Sequence, residues 1–429
     1  MDIGLLMAAL GVIAFTSIVI MYACDAFEDA ADFLGRNMTP GTKGATINAI
    51  GSSLPEFFTT LFLLFGPVWS EEFFGDADGA FQAGIATCAG SAVFNAVIIP
   101  GLCILAVMYV GVKRADGTRE KLPWISLRKK IIIRDGFFFV LAELGLIFFL
   151  ADTVLKWWMG GALALIYFVY ITVVLKSGFA ANDDDDEDDD DDEDEDDGGG
   201  IGILGMGWFF DFNQRFFNGR AFTTKSAWVV LLAAVTWIGA ASAGIAWAVE
   251  ASAEALDIAP YFTAVILAAA ATSVPDTVLS IKDALKGEYD DAVANAVGSN
   301  IFDICICLGI PLMLYGLTIG DVNMSGADSS SEDVQLLRWV LLIATAGVLS
   351  IFLIGNRIGK MKAVALFSIY IAWIVFIVIR AIHSDDPAQA EEKTAQARPP
   401  VVAHLTTSAP PGATDPWIHI RGVRVESNH

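Results

Sequence analysis

Long apolar stretches alternate with short polar connections along this chain. Runs of about 20 mostly apolar residues, the length that crosses a bilayer, occur at 3–24, 44–66, 79–112, 132–152 and 155–176. They recur at 226–249, 262–285, 290–318, 337–354 and 361–381. The pattern predicts an all-α membrane protein of ten transmembrane helices in two sets of five. The runs 79–112 and 290–318 exceed the need of a straight span and contain glycine and polar residues, which predicts tilted or broken helices. The first run follows Asp2 with no basic stretch before it and has full spanning length, so it reads as a retained helix rather than a cleaved leader.

Basic residues orient the spans. Lys113, Arg114, Arg119, Lys121, Arg128, Lys129 and Lys130 follow the third run, and Arg357, Lys360 and Lys362 separate the last two. The connections at 67–78, 250–261 and 319–336 contain no Lys or Arg. Positive-inside bias then sets the N-terminus outside and residues 177–225 in the cytoplasm. The expected organisation is a first transmembrane repeat (1–176), a cytoplasmic loop (177–225), a second repeat (226–381) and a tail without packed structure (382–429). Within the loop, WFFDFNQRFFNGRAF, with Arg215 and Arg220, reads as a short helix in the membrane interface or as a linker.

Composition agrees. At 55% hydrophobic residues and a mean hydropathy of +0.58, a set of soluble domains is excluded. Fifteen of the 24 net negative charges lie in the tract 183–197, a like-charge block that cannot pack and reads as a solvated cytoplasmic segment. The cysteines (Cys24, Cys88, Cys103, Cys305, Cys307) fall in or beside apolar runs, as reduced helix residues do. The four histidines (His383, His404, His419, His429) all lie in the tail, so no imidazole is available for zinc or a proton relay within the spans.

The halves repeat each other. GSSLPEFFTTL (51–61) matches ATSVPDTVLSI (271–281), and GSAVFN (90–95) matches GSNIFD (298–303), each in the second and third span of its half. Because five is odd, the second repeat enters the membrane upside down. Inverted repeats with polar, broken helices at matched places point to a transport site near the midplane. Charge inside a span costs roughly 2.5–3.5 kcal/mol on insertion scales and marks function. Glu56, Asp276 and Asp303 are such charges, at matched positions of the repeats.

The neighbours of these acids define the chemistry. On a helix, Thr272 and Ser273 share a face with Asp276, and Pro275 leaves the carbonyl of Ala271 without its usual N–H partner. Ser52, Ser53, Pro55 and Glu56 repeat that arrangement. Ser91 with Asn95, and Ser299 with Asp303, add i,i+4 pairs. Carboxylate, hydroxyl and carbonyl oxygens suit calcium and sodium rather than copper or zinc. Gly51, Gly90, Gly298, Ala49 and Ala92 would let the helices approach closely. Serines and threonines in spans commonly bond back to their own helix, which is the plain alternative for any one hydroxyl. Thr87, Asn295 and Asn300 read equally as ligands or as interhelical hydrogen bonds, and Glu143 has no repeat partner and stands outside the site.

These motifs, G-[ST]-S-x-P-[ED] and G-S-[NA]-x-x-[ND], resemble those of the cation/calcium exchanger superfamily. GSAVFN, SVPD and GSNIFD followed by ICLGIP are most similar to the potassium-dependent sodium/calcium exchangers, over roughly residues 1–381. Ala271 departs from the usual glycine. The resemblance implies a secondary antiporter, not an enzyme, that exchanges sodium for calcium with potassium accompanying calcium, and it implies no cofactor. It implies that Glu56 and Asp276 share the calcium, that Asn95 and Asp303 complete the site, and that Ser52, Ser53, Ser91, Thr272, Ser273 and Ser299 serve sodium. Asp303, where potassium-independent exchangers often carry Asn, underlies the potassium expectation. The expected partners are these ions and the bilayer, of the plasma membrane or an organelle, without nucleic acid. Rival readings are a proton/calcium or potassium-independent exchanger on the same fold, a calcium sensor using the acidic tract, and an intramembrane aspartyl protease with Asp276 and Asp303 as its dyad. The mirrored Glu56 and Asn95 count against the protease.

Overall fold

The computed structural model describes residues 2–34, 49–70, 80–114, 118–152, 154–181, 212–217, 219–323, 330–355 and 357–384. The acidic tract and residues 385–429 lie outside them. The helices are α1 (Ile3–Leu34), α2 (Ala49–Ser52), α3 (Leu54–Trp69), α4 (Ala80–Tyr109), α5 (Lys129–Phe149), α6 (Trp157–Ala181), α7 (Phe212–Phe217) and α8 (Thr224–Leu256). They continue as α9 (Pro260–Thr263), α10 (Ala269–Thr272), α11 (Val274–Lys286), α12 (Tyr289–Phe302), α13 (Gly309–Thr318), α14 (Ser330–Leu353) and α15 (Lys360–Ser384). Two π segments, Ala264–Ala268 and Asp303–Leu308, join α9 to α10 and α12 to α13.

Among the described residues, nine helical stretches are long and apolar enough to span a membrane, and the protein is a multi-pass integral membrane protein. They coincide with nine of the ten apolar runs. The remaining run is α5, 21 residues or about 31 Å long, whose sequence KKIIIRDGFFFVLAELGLIFF contains five charged residues. The pattern at 79–112 predicts a tilted or broken helix, yet α4 is one continuous helix of 30 residues with Pro100 inside it. At about 45 Å it exceeds a hydrocarbon core of about 30 Å, so it tilts or projects. In the second half the corresponding run is interrupted by the π segment at Asp303. The first span also runs ten residues past its apolar part, through Asp25, Glu28 and Asp29 to Leu34.

Short strands stitch the connections together. Trp124–Ser126 pairs antiparallel with Arg357–Gly359, joining the two basic connections. Val154–Leu155 pairs with Val322–Asn323, joining two connections of the other kind. The basic connections therefore share one face, as the positive-inside pattern requires. Large apolar side chains such as Phe137, Phe148, Leu165 and Ile343 stay exposed on the outer helices, the surface that lipid covers. The core is lined with small residues. A Cβ on Gly90 of α4 would stand 2.2 Å from the Val265 carbonyl oxygen, so α4 crosses the π segment at backbone contact. All five cysteines are buried and free. The short helix α7 falls within the aromatic segment read as interfacial.

Candidate cation site

The site begins at two matched helix breaks. Pro55 and Pro275 lack an N–H, so the helix cannot continue its ladder through them. Ser53 (φ −95°, ψ 4°) and Ser273 (φ −80°, ψ 4°) take nearly the same non-helical conformation. The bonds around them also match. Ser53 N donates to Ala49 O at 3.2 Å and Ser273 N to Ala269 O at 3.2 Å. Each break is one residue wide, and helix restarts at Leu54 and Val274. Glu56 and Asp276 then fall in the first turns of α3 and α11, where unpaired N–H groups and the helix dipole favour an anion.

Contacts along α4 give the two half-helices their directions. Thr60 Oγ1 of α3 lies 3.4 Å from Cys88 Sγ, and Glu56 Oε1 lies 3.1 Å from Ser91 Oγ. Asn95 Nδ2 donates to Asp276 Oδ2 of α11 at 3.0 Å, and Cys103 Sγ donates to Ser280 O at 3.3 Å. The half-helices thus meet at Ser91 and Asn95 and run to opposite ends of α4. Gly287, which caps α11 at φ +96°, ends beside Val112, just before the basic connection.

Ser91 is the hub. Its Oγ lies 3.1 Å from Glu56 Oε1, 3.0 Å from Asp303 Oδ2 and 3.0 Å from Ser273 Oγ, and it accepts Asn95 Nδ2 at 3.3 Å. Ser273 Oγ also donates to Glu56 Oε1 at 3.4 Å. A hydroxyl has one proton, so Ser91 cannot serve both carboxylates at once. Whichever carboxylate Ser91 leaves keeps only a longer contact, from Ser273 on Glu56 or from Cys307 on Asp303, and a cation or a further proton there would be favourable. Glu56, Asp276, Asp303, Asn95, Ser52, Ser53, Ser91, Thr272, Ser273 and Ser299 are all 0% exposed, so the site is closed to solvent on every side.

Several buried oxygens lack a hydrogen-bond partner: Ser53 Oγ, Glu56 Oε2, Asn95 Oδ1, Asn295 Oδ1 and Asn300 Oδ1. Orphaned buried oxygens are costly. Those in the hub fit a hard cation held by oxygen. The acids do not close into a compact cluster, and no group of three or more His, Cys, Asp or Glu converges on one point among the described residues. The carboxylates are linked through Ser91 and Asn95 instead, so hydroxyl and amide oxygens must supply part of any coordination shell.

The structure separates the expected hydroxyls. Ser91 bridges Glu56 and Asp303, and Ser273 lies between Ser91 and Glu56. Thr272 Oγ1 donates to Ala268 O at 3.0 Å, Ser299 Oγ to Asn295 O at 2.7 Å and Thr87 Oγ1 to Ala83 O at 2.9 Å, each within its own helix. Their lone pairs can still face an ion, but their protons are committed. Asn300 Nδ2 donates to Ala92 O at 3.0 Å and ties α12 to α4. The sequence pattern misses two contributors. Cys307 Sγ lies 3.6 Å from Asp303 Oδ1 and 3.5 Å from Ser53 O. Ser242 Oγ of α8 lies 3.4 Å from Pro55 O at the first break. The i,i+4 spacing of Asp303 and Cys307 is a visible signal; Ser242 gives none. Glu143 lies apart, accepting Thr345 Oγ1 at 2.5 Å.

Similarity to known proteins extends over the same residues. The model of the sodium/calcium exchanger protein family matches residues 8–176 and 226–379. Sodium/potassium/calcium exchanger Nckx30C of Drosophila melanogaster is 33% identical over 149 residues, 34% of this chain and 16% of that protein. Sodium/potassium/calcium exchanger 2 of Rattus norvegicus is 30% identical over 151 residues, 35% of this chain and 22% of that protein. The chain thus matches under a quarter of the length of either relative. Among solved structures, the sodium-calcium exchanger NCX_Mj superposes with a TM-score of 0.51 at 19% identity, over 86% of this chain and 99% of that one. The H+/Ca2+ exchanger CAX superposes with a TM-score of 0.58 at 15% identity, over 90% of each chain. At these identities the superpositions speak for the fold. The family match includes both half-helix breaks and both helices that supply Asn95 and Asp303, and the chain belongs to the sodium/calcium exchanger protein family.

Proposed function

We propose that this protein is a secondary antiporter that exchanges sodium for calcium by alternating access, with potassium travelling alongside calcium. One observation carries the reading. Three buried carboxylates, Glu56, Asp276 and Asp303, converge on Ser91 and Asn95 among unpartnered buried oxygens. Calcium neutralises two of the three charges, and an uncompensated third charge is costly. A potassium ion near Asp303 would balance it. The names of the relatives at 33% and 30% identity support that assignment.

Calcium would be held between Glu56 and Asp276 with Asn95 Oδ1, and sodium would use the hydroxyls of Ser52, Ser53, Ser91, Thr272, Ser273 and Ser299. These hydroxyls adjoin the same carboxylates, so the two loads overlap and the site cannot hold both in full, which is what coupling requires. The five-helix halves act as inverted repeats, with α5 as the tenth span. α1 packs along α8 so tightly that a Cβ on Gly244 would stand 2.9 Å from Thr16 Cγ2. These two helices slide as a pair over the half-helices to open one side or the other.

A second reading rests on the single proton of Ser91. A proton on Glu56 or Asp303 reconciles the hub as well as a cation does, which would make the protein a proton/calcium exchanger. Radiocalcium uptake into sodium-loaded vesicles, diluted into sodium-free buffer with and without potassium, separates these readings. Uptake that requires both the sodium gradient and potassium is the expected result. Uptake driven by a pH gradient alone would replace it with the proton reading.

A further inference from the structure

The two half-helices differ beyond their acids. On α3 the buried positions after Glu56 are Thr59, Thr60, Leu63 and Leu64. On α11 the buried positions after Asp276 are Leu279, Ser280, Asp283 and Ala284. Asp276, Ser280 and Asp283 are spaced i, i+4, i+7, one stripe along a helix. The stripe is buried throughout, with Asp276 and Ser280 at 0% and Asp283 at 6% exposure. In the first half the positions equivalent to Ser280 and Asp283 are Thr60 and Leu63, so both arms carry a hydroxyl but the second acid exists on one arm only.

Asn295 of α12 lies against this stripe. Its Nδ2 donates to Ser280 Oγ at 3.1 Å and approaches Asp276 Oδ1 at 3.5 Å. Its Oδ1 is fully buried and has no hydrogen-bond partner. Cys103 of α4 closes the track from the other side, donating to Ser280 O at 3.3 Å. A carboxylate, a hydroxyl and an unpaired amide oxygen therefore stand within two helical turns of Asp276. They extend toward Gly287 and Val112, where the basic connection begins.

We propose that Asp283, Ser280 and Asn295 form a second cation subsite, an entry station through which calcium or sodium passes between the central site and the face carrying the basic connections. The proposal rests on the antiporter reading. Acid on a buried track concentrates cations and raises their rate of entry, by about tenfold or more in charge-lined clefts. Because the opposite arm carries Leu63 instead, the effect belongs to one face. The protein would then be kinetically asymmetric, loading cations more readily from the face of the basic connections.

The test measures calcium uptake in vesicles of both orientations made with the full chain and with Asp283→Asn. The expected result is a rise of about tenfold in half-saturating calcium when calcium is offered at the basic face. The opposite face and the maximal rate should not change. Equal constants for the variant and the unaltered chain at both faces, or an equal shift at both, would overturn the subsite. If Asp283→Asn does not yield folded protein, Ser280→Ala, which removes one oxygen and no charge, should shift half-saturation in the same direction at the same face. Its leaving both faces unchanged would also overturn the proposal. Failure of the unaltered chain to take up calcium on a sodium or proton gradient would instead remove the antiporter reading itself.

Discussion

Asn95 Nδ2 donates to Asp276 Oδ2 at 3.0 Å across 181 residues of sequence, while Asn95 Oδ1 has no partner. The bond joins a helix of the first half to the restarted half-helix of the second. It fixes the amide so that its oxygen is free for an ion. Asp276 and Glu56 are then the groups whose charge the central cation needs most. Glu56→Gln and Asp276→Asn should each lower calcium uptake by at least about 100-fold, or about 2.8 kcal/mol. Both variants should remain monodisperse by size exclusion, because removing an uncompensated buried charge does not weaken a fold. Near-normal flux in either variant would take that residue out of the site.

Asp303 differs from the other two acids. It meets the hub through Ser91 and has Cys307 on its other oxygen. Asp303→Asn removes one negative charge and keeps the shape. Calcium transport should survive, and its activation by potassium should fall, when uptake is measured across a potassium titration. Full potassium activation in this variant would mean that the third charge is balanced elsewhere.

The hydroxyls, alike in sequence, should separate in function. Ser91 bridges Glu56 and Asp303, whereas Ser299 and Thr272 spend their protons on Asn295 O and Ala268 O. Ser91→Ala removes the one proton that Glu56 and Asp303 share, a loss of about 1–3 kcal/mol for a buried charged acceptor. It should therefore raise half-saturating sodium more than Ser299→Ala or Thr272→Ala, in sodium-dependence curves measured side by side. Equal effects would mean that the coordination of the ion, rather than the resting hydrogen bonds, sets the order.

Much of this is legible in the chain because a membrane makes polar residues expensive. Glu56, Asp276 and Asp303 stand out as charges in apolar runs, and Pro55 and Pro275 mark breaks that the structure has at Ser53 and Ser273. The hidden part has two causes. Helix interruption depends on tertiary crossing as well as on local residues, so the glycine-rich run at 79–112 stays one helix while the run containing Asp303 acquires a π segment. Long-range hydrogen bonds leave no local trace either. Thr272 and Ser91 look equivalent in the chain, and only the fold directs one back to its own helix and the other to two carboxylates. Asn295 reads equally as a ligand or an interhelical bond; in the fold it bonds Ser280 and keeps a bare oxygen.

Gly90 tests the packing that brings these groups together. A methyl there would meet Val265 O at 2.2 Å and Ala269 Cβ at 2.7 Å, and the first of these is backbone that cannot swing aside. Gly90→Ala must therefore push α4 away from the π segment, and with it Ser91, the next residue along. Overpacking of this kind costs about 1–3 kcal/mol, so the thermal midpoint in detergent should fall and calcium uptake should fall with it. Gly11 on α1 is the control, because a Cβ there meets nothing within 4 Å. Gly11→Ala should leave uptake unchanged and hold or raise the midpoint, since alanine favours a helix by about 0.5–1 kcal/mol over glycine. If Gly90→Ala behaves like Gly11→Ala in both measurements, the close crossing of α4 over Val265 is not what positions Ser91.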